Sequence, residues 1–205
     1  MARSREDEFG GAPLPQLLCG ESALDKLEAR NGIVLALYIS ELADKWQNEF
    51  HFTPEIIQTC NAIAMNGIYA CAGQYRNRCV IAGDFVGAHH KDIPRLIDEM
   101  CVYLNSCTGD PYHAAAYVLW RTSWIHPFYN GNGRVSRELC YLAVMVGLGR
   151  PDLEGENPIP VLLKNATDEY MRCLRVADTL RLDDDRPNLG PLESLLCALS
   201  DEQSA

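Results

Sequence analysis

The chain has 205 residues, 47% of them hydrophobic and 22% charged, a balance that suits one soluble globular domain with a sizeable core. Its net charge of −10 argues against a broad basic nucleic-acid surface while leaving room for a local positive pocket. No apolar run approaches the ~18 residues of a membrane helix, and residues 1–14 read as a polar, disordered tail with no secretory leader, so a cytoplasmic location is expected.

Nine cysteines, with no Cys-x-x-Cys pair, read as reduced and largely buried thiols. A zinc site is not expected, because the histidines are not at ligand spacing.

Residues 15–48 read as helical, with Leu17, Leu18, Leu24 and Leu27 first and Ile33, Leu35, Leu37, Ile39 and Leu42 next, and with Asn31-Gly32 as a point of interruption. Thr53-Pro54-Glu55 is a helix start: a capping hydroxyl, a proline in the first turn and an acid near the positive end. That helix is expected to run to about residue 67. Residues 73–90 change character. Cys79-Val80-Ile81 and Phe85-Val86 flank Ala82-Gly83-Asp84, which reads as a short hairpin. His89-His90 follows, and adjacent side chains are expected to diverge, so the pair reads as an exposed loop rather than a metal site.

Asp92-Ile93-Pro94 opens a helix to about Leu104, and Gly109-Asp110-Pro111 is a turn before a small-residue apolar helix over 111–125. Its Ala114-Ala115-Ala116 run allows close helix approach; Trp120 and Trp124 read as core, and His113 as a structural or surface histidine.

Residues 126–137, His-Pro-Phe-Tyr-Asn-Gly-Asn-Gly-Arg-Val-Ser-Arg, organise the chain. His126 precedes Pro127, which disfavours the α region and marks a break. Gly131 and Gly133 permit close backbone approach. Val135, Leu139, Leu142 and Val146 then fall at helical spacing, to about Leu148. A loop that enters a helix in this way presents free N–H groups and the positive dipole end to an anion. Arg134 and Arg137 add guanidinium groups suited to phosphate, and His126 at the lip has the ordinary pKa of a general base. The residues describe a phosphate cradle with a base beside it.

Beyond the motif, 152–160 is a Pro/Gly/acid loop, 161–181 is helical, Asp183-Asp184-Asp185 reads as a solvated linker, and 191–199 forms a short last helix.

The motif resembles the signature of the Fic (Fido) family, His-x-Phe-x-Asp/Glu-Gly-Asn-Gly-Arg-x-x-Arg. His126, Phe128, Gly131, Asn132, Gly133, Arg134 and Arg137 match, and Asn130 replaces the usual acid. The resemblance covers roughly residues 20–200 and is strongest over 73–150. It implies a mostly α fold, a helical bundle with one hairpin, in a single domain over 15–200 followed by a tail at 201–205. It also implies transfer of AMP from ATP to a hydroxyl of a target protein. In that chemistry His126 is the base, and Gly131, Asn132, Gly133, Arg134 and Arg137 hold the phosphates. Tyr170 lies near the nucleobase, and Mg²⁺ or Mn²⁺ is held weakly by Asn130 in place of the acid.

The resemblance makes the hairpin after Gly73-Gln74-Tyr75-Arg76 a flap, with Val80, Ile81, Ala82, Gly83, Asp84 and Phe85 docking the target by strand addition. Glu28 is the candidate for the family's inhibitory glutamate, which pairs with the second motif arginine, here Arg137. The hydroxyl residue and the Gly/Asn that accompany it are absent at 24 and 29, so Glu28 reads as a solvated helix charge. Self-inhibition or a regulatory partner, transfer of UMP, phosphocholine or a phosphoryl group, and a non-catalytic binding module are the competing readings.

Overall fold

The computed structural model describes residues 16–45, 51–82, 85–151, 153, 155–184 and 187–204. Among them run eight α-helices: α1 (Glu21–Lys45), α2 (Pro54–Ala64), α3 (Ile93–Ser106), α4 (Pro111–Ile125), α5 (Asn132–Leu148), α6 (Ile159–Asn165), α7 (Thr167–Asp184) and α8 (Gly190–Gln203). One antiparallel hairpin, β1 (Ile81–Ala82) and β2 (Phe85–Val86), pairs Ile81 with Val86 and Ala82 with Phe85. The expected mostly helical class with a single hairpin is what the chain adopts. The hairpin's Gly83 and Asp84, and the tail 1–14, lie outside the described residues. No helix among the described residues is long and apolar enough to cross a membrane.

The described residues fall into two compact units. The first gathers the chain up to Tyr38, Phe52–Tyr103 and Arg121–Val135. α1 is continuous through Asn31-Gly32, contrary to the expected interruption. Asn31 is buried, and its Nδ2 donates to the carbonyls of Ala64 (3.3 Å) and Asn66 (2.8 Å), satisfying the end of α2. α2 begins as expected: the Ile56 N–H donates to Thr53 Oγ1, and Pro54 sits in the first turn. It ends earlier than expected, at Ala64, and turns carry the chain on to Gly73. Leu35, Ile57, Ile68, Ile97, Ile125 and Phe128 are among this unit's fully buried side chains.

The second unit gathers Ile39–His51, Leu104–Trp120 and Ser136–Ala205. Ala115 and Ala116 of α4 are fully buried. A Cβ on Gly147 of α5 would lie 2.5 Å from the Pro111 side chain, so the two helices meet too closely there for any other residue. Trp120 donates to Asp178 Oδ1 (2.8 Å), and His113 lies 2.6 Å from Glu193.

The region expected as one helix over 161–181 is two, because the chain turns at Ala166. Asp183 and Asp184 are helical rather than linker; Asp185 lies outside the described residues. The expected tail from 201 is also corrected. α8 continues to Gln203, whose buried amide donates to Tyr141 Oη and the Leu153 carbonyl and accepts from the Ile159 N–H.

Candidate functional site

The site is built in the first unit, on the turn from α4 into α5. α4 closes when the His126 N–H donates to the Thr122 carbonyl at 3.0 Å. His126 then adopts φ of +51°, a left-handed conformation that a non-glycine residue enters at a cost of about 1–3 kcal/mol. It is the one non-glycine residue with positive φ among the described residues.

Arg76 holds that backbone in place. It is 1% exposed, and its guanidinium donates to the carbonyls of His126 (2.7 Å), Arg78 (2.6 Å), Ala88 (2.5 Å) and Ile125 (3.2 Å). Its own N–H donates to the Pro127 carbonyl at 2.9 Å. One buried residue thus gathers the three consecutive carbonyls of 125–127, two by its guanidinium and one by its backbone N–H, and both feet of the hairpin. A Cβ on Gly87 would fall 2.8 Å from this guanidinium and 3.1 Å from the His126 Cβ, so glycine there lets the hairpin foot lie against His126. Arg76 and Gly87 are two of the positions that the motif alone did not expose, Asn61 being another. The signal for Arg76 was the Gly73-Gln74-Tyr75-Arg76 stretch; Gly87 had none.

Burial, with the Arg76 charge second, pushes the His126 imidazole down to about 4. Its ring is neutral at physiological pH. A backbone hydrogen bond with Ser123 opposes this shift in part.

The loop that follows is locked by its own asparagines. Asn132 is buried; its Oδ1 accepts from the Phe128 N–H (2.9 Å) and its Nδ2 donates to the Phe128 carbonyl (2.8 Å). The Asn132 side chain is therefore committed to the loop, and its part in an anion site falls to the backbone. Asn61 extends the lock: its Nδ2 donates to the Asn130 carbonyl and its Oδ1 accepts from the Gly73 N–H, both at 2.9 Å. Gly131 has φ of +82°, and a Cβ there would lie 2.9 Å from both Asn61 and Met65. The loop geometry excludes any other residue.

Asn130 is exposed; its Oδ1 accepts from the Gly131 N–H (2.6 Å), and its Nδ2 donates to Tyr69 Oη (3.3 Å). A metal ion is thus offered one neutral amide oxygen that already accepts a hydrogen bond. On its own that is a poor site for Mg²⁺, which takes hard, preferably anionic oxygens.

Arg134 lies in the first turn of α5. Its Nη2 is 2.5 Å from Glu28 Oε1 across the first unit. Its Nη1 is buried without a hydrogen-bond partner among the described residues. Glu28 is thereby not the solvated helix charge expected of it: it is an ion-pair partner of the motif, and the pair shown is with the first motif arginine rather than with Arg137. Arg137 is one turn further along α5 and Tyr170 is buried on α7, both in the second unit.

In the hairpin, Val80 is buried, and its carbonyl accepts from the Gly87 N–H (3.2 Å) below the Ile81–Val86 pair. The His89 and His90 rings do not diverge as expected. They stack with centroids 4.4 Å apart, because His89 is extended (φ −60°, ψ 131°) where it enters a 3₁₀ turn over His90–Asp92.

Comparison with known proteins matches residues 51–144 to the Fic/DOC family. A Fido domain-containing protein of Dictyostelium discoideum is 35% identical over 118 residues, covering 56% of this chain and 77% of that protein. A Fic domain-containing signalling protein from Bacteroides thetaiotaomicron superposes with a TM-score of 0.67 at 23% identity, over 89% of this chain and 71% of that one. Fic-1 from C. elegans superposes at 0.66 with 22% identity, over 97% of this chain and 56% of that one. The two superpositions show the fold; the Dictyostelium relative and the match over 51–144, with the His126-to-Arg137 loop built as described, establish that the chain belongs to the Fic/DOC (Fido) family, whose members are generally transferases.

Proposed function

We propose that this chain is a protein adenylyltransferase, moving AMP from ATP to a Ser, Thr or Tyr hydroxyl of a target protein. The observation that carries the reading is Arg134: a guanidinium at the positive end of α5 with one arm buried and unpartnered, on the loop that also holds a neutral, backbone-fixed histidine. A buried unsatisfied donor at a helix N-terminus suits a phosphate oxygen.

In this reading the target hydroxyl oxygen attacks the α-phosphate, the bond to the leaving pyrophosphate breaks, and His126 takes the hydroxyl proton. The protein supplies position and charge stabilisation rather than covalent chemistry. Proton removal by His126 is expected to contribute ~10²–10⁴-fold. A pKa of about 4 is low for a base at neutral pH, and the negative charge of a bound triphosphate raises it toward the working range. Mg²⁺ arrives as part of the MgATP substrate. The resemblance assigns Arg137 to the far phosphate and Tyr170 to the nucleobase, and the reading keeps both. The two-strand hairpin, with Val86 exposed on β2, is suited to pairing main chain to main chain with a target segment.

The Glu28–Arg134 pair favours a second element, self-inhibition: a carboxylate on Arg134 competes with a phosphate for the same cation.

Incubation with α-labelled ATP and Mg²⁺, with and without cell lysate, tests the reading against His126→Ala. A labelled protein band that disappears in the variant is the expected result. A label that survives in His126→Ala, or ATP bound by the Glu28→Ala protein with no label transferred to any protein, would overturn it.

A further inference from the structure

The two feet of the hairpin carry a second cluster. Cys79 lies just before β1 and His89-His90 just after β2. One ligand atom from each of the three lies within 4.8 Å of the other two. His89 Nδ1 accepts from the Lys91 N–H (3.3 Å), which leaves Nε2 to face a ligand. His90 Nδ1 is buried and has no hydrogen-bond partner among the described residues. Cys79 is a free thiol and exposed. The backbone beneath is fixed: the Arg76 guanidinium binds the carbonyls of Arg78 and Ala88, the residues immediately before Cys79 and His89.

We propose that Cys79, His89 and His90 bind a zinc ion that pins the base of the hairpin. One thiolate and two imidazoles are a borderline-soft N/S set of the kind that Zn²⁺ takes in tetrahedral geometry. With Zn–S near 2.3 Å and Zn–N near 2.0–2.1 Å, ligand atoms of a tetrahedral site stand about 3.3–3.6 Å apart, so the cluster need close by at most about 1.5 Å. Such a closure lies within side-chain rotation of three residues at the surface or half-buried. Two cations stand nearby, Arg76 and Lys91. The thiolate that forms as Cys79 releases its proton to solvent offsets them. Three protein ligands leave the fourth position to water. The consequence is mechanical: the metal joins the strand that enters the hairpin to the segment that leaves it, across the two-residue-pair ladder that is otherwise the hairpin's own support.

The test uses the full chain without an affinity tag, kept reduced with a phosphine, and Co²⁺ as the spectroscopic probe for zinc. The expected result is one equivalent bound with tetrahedral ligand-field bands and a thiolate-to-cobalt charge-transfer band, displaced by Zn²⁺. Cys79→Ser should lose the charge-transfer band and weaken binding by more than the roughly 10–100-fold that outer-shell changes cost. His89→Ala should weaken binding likewise, and Cys197→Ser, which removes the exposed cysteine of α8, should change nothing. A wild-type spectrum without the charge-transfer band, or a band that persists in Cys79→Ser, would overturn the site. Hydrogen exchange supplies the second readout. Amides of residues 81–86 should exchange more slowly with Zn²⁺ in wild type and not in Cys79→Ser; unchanged exchange in the metal-loaded protein would overturn the pinning. Neither readout involves ATP, so the outcome is separable from that of the transfer reaction.

Discussion

The Arg76 guanidinium donates to the His126 carbonyl at 2.7 Å, one of the bonds that join the hairpin's anchor to the motif loop. The same side chain satisfies the carbonyls of Arg78, Ala88 and Ile125, with no carboxylate among its hydrogen-bond partners in the described residues. Charge-assisted hydrogen bonds are the strong ones, and a buried carbonyl left without its donor costs about 1–3 kcal/mol. Arg76→Met leaves those carbonyls without their donor and is therefore expected to destabilise the chain by about 3–5 kcal/mol. Arg76→Lys should recover part of this, because one ammonium cannot span the fork that the guanidinium fills. Denaturant unfolding of both variants measures it, and a loss below about 1 kcal/mol for Arg76→Met would contradict the clamp.

His126 has its own backbone cost. At φ of +51° glycine is free of the Cβ penalty that any other residue meets. His126→Gly and His126→Ala should both abolish transfer, while the glycine variant is the more stable of the two by about 1 kcal/mol. Thermal unfolding alongside the labelled-ATP assay checks both halves. Equal stabilities would mean that the left-handed conformation carries no strain.

Much of this was legible in the sequence because the motif is local. The loop-to-helix entry, the Thr53 cap and the bounds of α4 all follow from residues a few positions apart. The misses share another cause: they depend on contacts distant in sequence. Asn31 looked like a helix breaker, yet across more than thirty residues it supplies the donor that the end of α2 lacks, so α1 runs straight through. Glu28 lacked the neighbours of an inhibitory motif, yet α1 carries it to Arg134. His89 and His90 were expected to diverge, and a 3₁₀ turn that no periodicity announces stacks them.

Two half-buried groups pull the pH dependence of stability in opposite directions. The His126 pKa falls from 6.5 to about 4 on folding, so between those values the unfolded chain binds a proton that the folded chain refuses, and stability rises with pH. Burial raises the Glu138 carboxyl from 4.5 to about 7 against the opposing Arg137 charge. Between those values the folded chain keeps a proton that the unfolded chain releases, and stability falls with pH. Over pH 4.5–6.5 the two slopes oppose each other. In Glu138→Gln the His126 contribution is exposed, and stability should climb by about 3 kcal/mol across its window. In His126→Gln it should fall with rising pH instead. Unfolding free energies at half-unit pH steps would show the two profiles diverging; parallel profiles would contradict both assignments.

The Glu28–Arg134 pair is partly exposed, with the two side chains 38% and 28% accessible. An ion pair so placed is worth about 0.2–1 kcal/mol. Its removal should therefore strengthen ATP binding only up to about fivefold. Glu28→Ala keeps a good helix former in α1, whereas Glu28→Gly would add a helix penalty of about 1 kcal/mol that confuses the comparison. Calorimetric ATP titration of wild type and Glu28→Ala, with Arg134→Ala as the partner variant, closes the cycle. If Glu28→Ala still strengthens binding in the Arg134→Ala background, the effect does not pass through this pair.

Asn130 sets the metal requirement of the reaction we propose. Its amide oxygen accepts from the Gly131 N–H at 2.6 Å and its amide nitrogen donates to Tyr69. Asn130→Asp preserves the first bond, since a carboxylate oxygen accepts from Gly131 as well, and gives up the second as a donor. Tyr69 Oη can donate in return, so the loop should keep its shape. What changes is charge: a hard anionic oxygen now faces the metal borne by the triphosphate. The Mg²⁺ concentration giving half-maximal transfer should fall by roughly tenfold, about 1.4 kcal/mol of added attraction. Transfer at saturating Mg²⁺ should change little, because the ion's remaining ligands come from the nucleotide in both proteins. The measurement is initial rate against free Mg²⁺ at fixed ATP for the two chains. An unchanged midpoint would mean that position 130 does not face the metal, and that its hydrogen bonds to Gly131 and Tyr69 are its whole role.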